Sequence, residues 1–130
     1  MIEALKAALE ADPRIAYAVV FGSGAKGRAH PDSDVDIAIG LGGAPPLDLI
    51  ALGALAAKLE SAAGRRVDLV LLDEAPPGLA YRVFRDGVTI VARDKPALAG
   101  RRARAIIEYL DFLPVEQLCT RGVLAAAHGR

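Results

Sequence analysis

The sequence predicts an α/β domain built on a small sheet, and three observations lead there. Strand-length runs rich in Val, Ile, Leu, Tyr and Phe recur at 15–21, 35–39, 66–72 and 88–92. Between them lie segments whose apolar residues repeat at helical spacing. The chain has 130 residues, 53% of them hydrophobic, which is enough to bury one core and is the size of one domain. The expected organisation is a single domain over 1–130, with a core at about 15–92 and a C-terminal helical segment at about 96–127.

Residues 2 to 11 place Ile2, Leu5, Ala8 and Leu9 on one helical face, and Asp12-Pro13 ends that helix because a residue before proline avoids the helical region. Ile15 to Phe21 lacks strict alternation, the pattern of a strand covered on both faces. Gly22 to Pro31 turns the chain, and Asp32-Ser33-Asp34 leads into a second strand, Val35 to Ile39. A loop at Gly40 to Pro46 precedes a helix from Leu47 to Ala63, with Leu52, Leu55, Ala56 and Leu59 in one stripe and Gly64 as its stop. A third strand spans Arg66 to Leu72. Pro76-Pro77 opens a helix to about Arg85, since proline is tolerated in a first turn. After the Asp86-Gly87 turn, Val88 to Ala92 forms the fourth strand. From Pro96 a long helix carries Ala99, Ala103, Ile106, Leu110 and Leu113 on one face, at least half of it expected in the core. Arg101, Arg102 and Arg104 fall mostly off that stripe, and Pro114 is expected to kink or restart the helix.

Composition narrows the function. Sixteen basic residues balance sixteen acidic ones, so the excess of Lys and Arg that marks general nucleic-acid binding is missing. Residues 1 to 81 hold seven basic and eleven acidic residues, and residues 82 to 130 hold nine and five, so the two parts carry −4 and +4. An acidic site facing a basic tail suits a metal-bound polyphosphate; a solvated surface explains the tail nearly as well. The lone Cys119 excludes a disulfide within the chain and fits a reducing cytoplasm. His30 and His128 lack zinc-ligand spacing. No apolar run reaches the roughly 20 residues that span a bilayer, and no signal-peptide pattern opens the chain, so a soluble intracellular protein is expected.

The chemistry concentrates between Phe21 and Ile37. Gly22-Ser23 follows the first strand, and Asp34 and Asp36 stand two apart at the second, so on extended chain both carboxylates project to one side. At ~4 Å two like charges repel by roughly 4 kcal/mol at an effective dielectric of 20, a cost that a divalent metal removes. Asp68 lies inside the apolar third strand, where a carboxylate is costly unless paired or metal-bound, and so becomes the third candidate. The competing reading is a salt bridge to Arg65 or Arg66. Among rival motifs, Gly22 to Gly27 matches GxGxxG, but Pro31 and the next strand arrive before a Rossmann helix could form. A P-loop fails because Arg28 and Ala29 stand where Lys and Ser or Thr are required. A nucleophile elbow fails at Phe21.

Gly22-Ser23, Asp34-x-Asp36 and the later Asp68 resemble the signature of the DNA polymerase β-type nucleotidyltransferase superfamily, and the short chain resembles its minimal nucleotidyltransferases (MNT proteins). The resemblance covers about residues 15 to 92. It implies a mixed sheet flanked by helices and two Mg2+ ions held by Asp34, Asp36 and Asp68. It also implies ATP or another nucleotide as donor, its phosphates held at Gly22 and Ser23; Lys26 and Arg28 either help neutralise the triphosphate or stand as exposed loop charges. For many members it implies a HEPN-class partner, toward which the MNT protein acts as antitoxin, in some cases by adding AMP to a partner tyrosine. Many relatives carry a basic or bulky residue after Gly-Ser, where this chain has Gly24. Alternatives are a module that masks its partner by binding alone, with the helices after Lys95, and a transferase acting on a small molecule. A homodimer is also compatible. Arg82 and Arg85 meet phosphate only if their helix turns them toward the sheet; otherwise they are surface charges.

Overall fold

The computed structural model describes residues 1–22 and 34–128, with side chains placed through residue 114. In chain order the elements are α1 (Ile2–Glu10), β1 (Tyr17–Phe21), β2 (Val35–Gly40), α2 (Leu49–Ala63), β3 (Val67–Leu71), α3 (Pro77–Asp86), β4 (Val88–Ala92) and α4 (Lys95–His128), with a 3-10 turn at Leu72–Glu74. The sheet order is β3-β2-β1-β4. β1 pairs antiparallel with β2 and β4, and β2 pairs parallel with β3, so the sheet is mixed. The parallel pair is the one joined through a helix, α2, as a parallel connection requires.

Both sheet faces are covered, which explains the unbroken apolar run of β1. On one face α1 and α2 bury Leu5, Leu9, Leu55 and Leu59 against Ala18, Val20, Ile37 and Ile39. On the other, α3 and α4 bury Ala80, Val83 and Ala105 against Tyr17, Val19 and Ala38. Alternation therefore sends odd residues of β1 and even residues of β2 to the α3/α4 side. Tyr17 pairs with Gly40 across the strands, and its ring occupies the space a side chain at position 40 would need. Asp48 caps α2 by accepting from the Ala51 N–H at 2.7 Å, and Gly64 ends it at φ +70°.

One helical expectation is narrowed and another corrected. α4 runs as one helix through Pro114, so it does not restart there. A proline removes one backbone bond, at a cost of roughly 3 kcal/mol, and a helix docked along its first half can carry that. The stripe Ala99, Ala103, Ile106 and Leu110 is exposed, with only Leu113 half-buried. The packed face instead holds Ala97, Leu98, Arg101 and Ala105, and Tyr109 stacks on Tyr81 of α3 with centroids 4.1 Å apart. Small Ala105 lets α4 approach closely, and the aromatic pair fixes its rotation. Arg101 is 5% exposed; its Nη2 donates to the Leu72 carbonyl at 2.9 Å, while Nε and Nη1 have no hydrogen-bond partner among the described residues.

Candidate active site

Three strand ends build the site. β1 delivers Phe21 and Gly22 to one end of the sheet, where β2 and β3 begin. The parallel register sets Asp36 directly beside Asp68, and by alternation both carboxylates emerge on the α3/α4 face. They line one cleft of about 320 Å³ with Phe21, Gly22, Val70, Leu79, Arg82 and Asp86. Gly22 adopts φ +72°, and the Asp36 carboxylate occupies the position its Cβ would take. Only glycine meets both conditions there.

Electrostatics set the two acids apart. Burial pushes the Asp36 carboxyl above the usual carboxylate range, and the nearby charges of Asp68 and then Asp34 push it further. Asp68 is exposed, because β3 is the edge strand beyond β2. The expectation of a costly carboxylate shut inside a strand is thereby corrected. Its proximity to Asp36, not its own burial, is what marks it.

Asp34, just before β2, is exposed and close enough to raise the Asp36 carboxyl. Among the described residues no group of three His, Cys, Asp or Glu side chains is drawn together tightly enough to hold a metal ion. Ser23, Lys26 and Arg28 lie outside the described residues, as do Gly24 and the rest of the glycine turn.

α3 supplies what the sequence reading left open or missed. Leu79, Arg82 and Asp86 recur along one side of the helix and face the carboxylates, because α3 leads into β4, the neighbour of β1. Asp86 reads in the sequence as a turn residue only; its helical spacing from Leu79 and Arg82 was the available signal. Arg85 is held instead by Asp86, which accepts from its Nη2 at 2.9 Å and its Nε at 3.1 Å.

A mixed sheet with Gly22 at the end of one strand and two in-register carboxylates on the next two defines a nucleotidyl-transfer domain. The chain belongs to the polymerase beta nucleotidyltransferase family, whose pattern matches residues 3–96. It is similar to the protein adenylyltransferase MntA of Shewanella oneidensis, at 41% identity over 75 residues. That match takes in 58% of this chain and spans about half (52%) of the relative. The fold is similar to a chain of a toxin-antitoxin crystal structure with AMP-PNP, at 30% identity and TM-score 0.82, covering 95% of this chain and 98% of that one. It is similar as well to a chain of the complex of tri-AMPylated S. oneidensis HEPN toxin with MNT antitoxin, at 27% identity and TM-score 0.76, covering 96% and 100%. Among the described residues no helix is long and apolar enough to cross a membrane.

Proposed function

We propose that this chain is a magnesium-dependent adenylyltransferase that moves AMP from ATP to a hydroxyl of a HEPN-class toxin and so serves as its antitoxin, in the cytoplasm. The observation that supports this most is the in-register pair of Asp36 and Asp68 beside Gly22, with the Asp36 carboxyl raised by burial and then by its acidic neighbours. A half-buried acid held among other acids is a site short of positive charge, and hard oxygen donors suit Mg2+. The donor set thus fits, although three acids are not yet gathered around one point.

Asp36 and Asp68 would hold the metal with Asp34, for two ions in all. When bound, these cations neutralise the triphosphate and lower the pKa of the acceptor hydroxyl. Gly22 lets the backbone come close to phosphate; Ser23 would hold the phosphate oxygens, with Lys26 and Arg28 as the nearby charges that would help neutralise them. The acceptor oxygen forms a bond to the α-phosphorus as the bond from that phosphorus to the bridging oxygen breaks. Pyrophosphate leaves, and the hydroxyl proton passes to solvent past the exposed Asp68. The relatives' AMP-PNP and AMPylated-toxin complexes support ATP as donor and a HEPN-class acceptor.

The test is Asp36→Asn with ATP labelled at the α-phosphate, Mg2+ and a HEPN-class partner. Transfer should vanish while circular dichroism and thermal unfolding stay native; full transfer would end the proposal. A second reading, masking of the partner by binding, draws on the exposed Ile106, Ile107 and Leu110 of α4, at 41%, 60% and 61% exposure. Neutralisation of the toxin by Asp36→Asn would favour it.

A further inference from the structure

α4 carries an apolar stripe that the packing of the domain does not use. Ala99, Ala103, Ile106, Leu110 and Leu113 follow one another at intervals of four, three, four and three residues, the repeat of a coiled-coil seam, and Ile107 widens it at the middle. α4 meets the rest of the domain through a different face, that of Leu98, Arg101, Ala105 and Tyr109, so the stripe lies on the outside with only Leu113 half-buried. The helix's own second half cannot fold back over it, because α4 continues as one helix through His128.

The charges that border the stripe fit one occupant. Beside Ile107 stand Arg104 and, two helical turns further on, Asp111, and both are exposed. Arg104 donates to Glu108 of its own helix at 2.7 Å, while Asp111 has no ion pair among the described residues. On the opposite border Arg102 turns back onto α3, its guanidinium 5.5 Å from the Phe84 ring centroid. Two copies of this face laid antiparallel bring each Arg104 over the other copy's Asp111. They also set small Ala103 against large Leu113, with Ile106 beside Leu110. A parallel pairing would stack Arg104 on Arg104 and Asp111 on Asp111, and would leave Ala99 facing Ala99. A two-fold interface needs a patch that complements itself, and only the antiparallel arrangement gives one here.

We propose that the outer face of α4 binds a second copy of this chain, as an antiparallel two-helix seam centred between Ile106 and Leu110 with Arg104 paired to Asp111 across it twice. The seam runs over residues 99–114, about 24 Å of helix at about 1.5 Å per residue. One helix face on another is smaller than the standard interface of roughly 1,600 Å², so the dimer is a reversible, micromolar one. The cleft of Asp36 and Asp68 stays open in both copies, because its helical wall is α3 and not the outer face of α4. The pair therefore carries two cleft openings on one rigid seam, and it forms whether or not the chain transfers a nucleotide.

Sedimentation equilibrium of the full chain alone, from about 1 to about 300 µM, covers the range in which a micromolar dimer forms and dissociates. The native chain should pass from monomer to dimer. Leu110→Glu should weaken the dimer at least about tenfold while circular dichroism stays native. Arg104→Asp and Asp111→Arg should each do the same, since each variant sets like charges against one another. Mixed in equal amounts, these two variants should associate within about threefold of the native affinity, because the mixed pair restores both contacts. A native chain that stays monomeric through this range overturns the proposal, as does a mixture that associates no better than its parts. Unchanged dimerisation of Leu110→Glu overturns it by moving the contact elsewhere. Loss of toxin binding in Leu110→Glu, with no dimer of the native chain, gives the face to the toxin and overturns it as well.

Discussion

The carboxylate of Asp36 fills the space that a side chain on Gly22 would need, and Gly22 itself sits at φ +72°. Gly22 and the acidic strand are therefore one device: the backbone at Gly22 closes against the acid of β2. Gly22→Ala should pay twice, about 1–2 kcal/mol for a left-handed non-glycine backbone and a displaced Asp36. Urea unfolding should show the first loss, and a fall in Mg2+–ATP affinity the second. Native values of both would show that the close approach is dispensable.

Asp68 is exposed and raises the carboxyl of Asp36. Asp68→Asn removes a repulsion, so the melting temperature without metal should hold or rise while transfer falls by about 10² or more. Mg2+–ATP should raise the melting temperature of the native chain by linkage, and much less that of Asp68→Asn. A variant that melts lower without metal and responds normally to it would contradict this account.

Tyr17 is 2% exposed, and burial pushes its hydroxyl up to about 12, aided by the charge of Asp73. The folded chain holds that proton more tightly than the unfolded one. The contribution is complete below about pH 10 and is lost as pH rises toward about 12. It amounts to about 2–3 kcal/mol from that interval. Chemical denaturation at pH 9 and 11.5 should show the decline, and Tyr17→Phe should flatten it.

Arg101 is buried with two donor nitrogens unpartnered, and its Nε lies 3.8 Å from the Asp73 carboxylate. Burial holds its guanidinium below the usual arginine range, with Arg104 adding to that. Replacing such a charge with an apolar chain of similar length is often neutral or stabilising by about 1–4 kcal/mol. Arg101→Met should therefore melt no lower than the native chain; a clear fall would show that the bond to the Leu72 carbonyl outweighs the buried charge.

The strands, the helix stops and the acidic pattern are set by near neighbours in the sequence. Alternation puts Asp36 on one face of β2, Gly64 ends α2, and Pro77 starts α3, whatever the rest of the chain does. Strand order and helix rotation are not local. The sequence could not place β3 at an edge, which is why Asp68 reads as buried there and stands exposed in the fold. It showed one apolar stripe on α4, and contact with α3, through Ala105 and the Tyr81–Tyr109 stack, packed a different face and turned that stripe toward solvent. Arg82 joined the carboxylates for the same reason: pairing of β4 with β1 swings α3 across the cleft, and that pairing is a free-energy comparison over the whole core, not a property of any one segment.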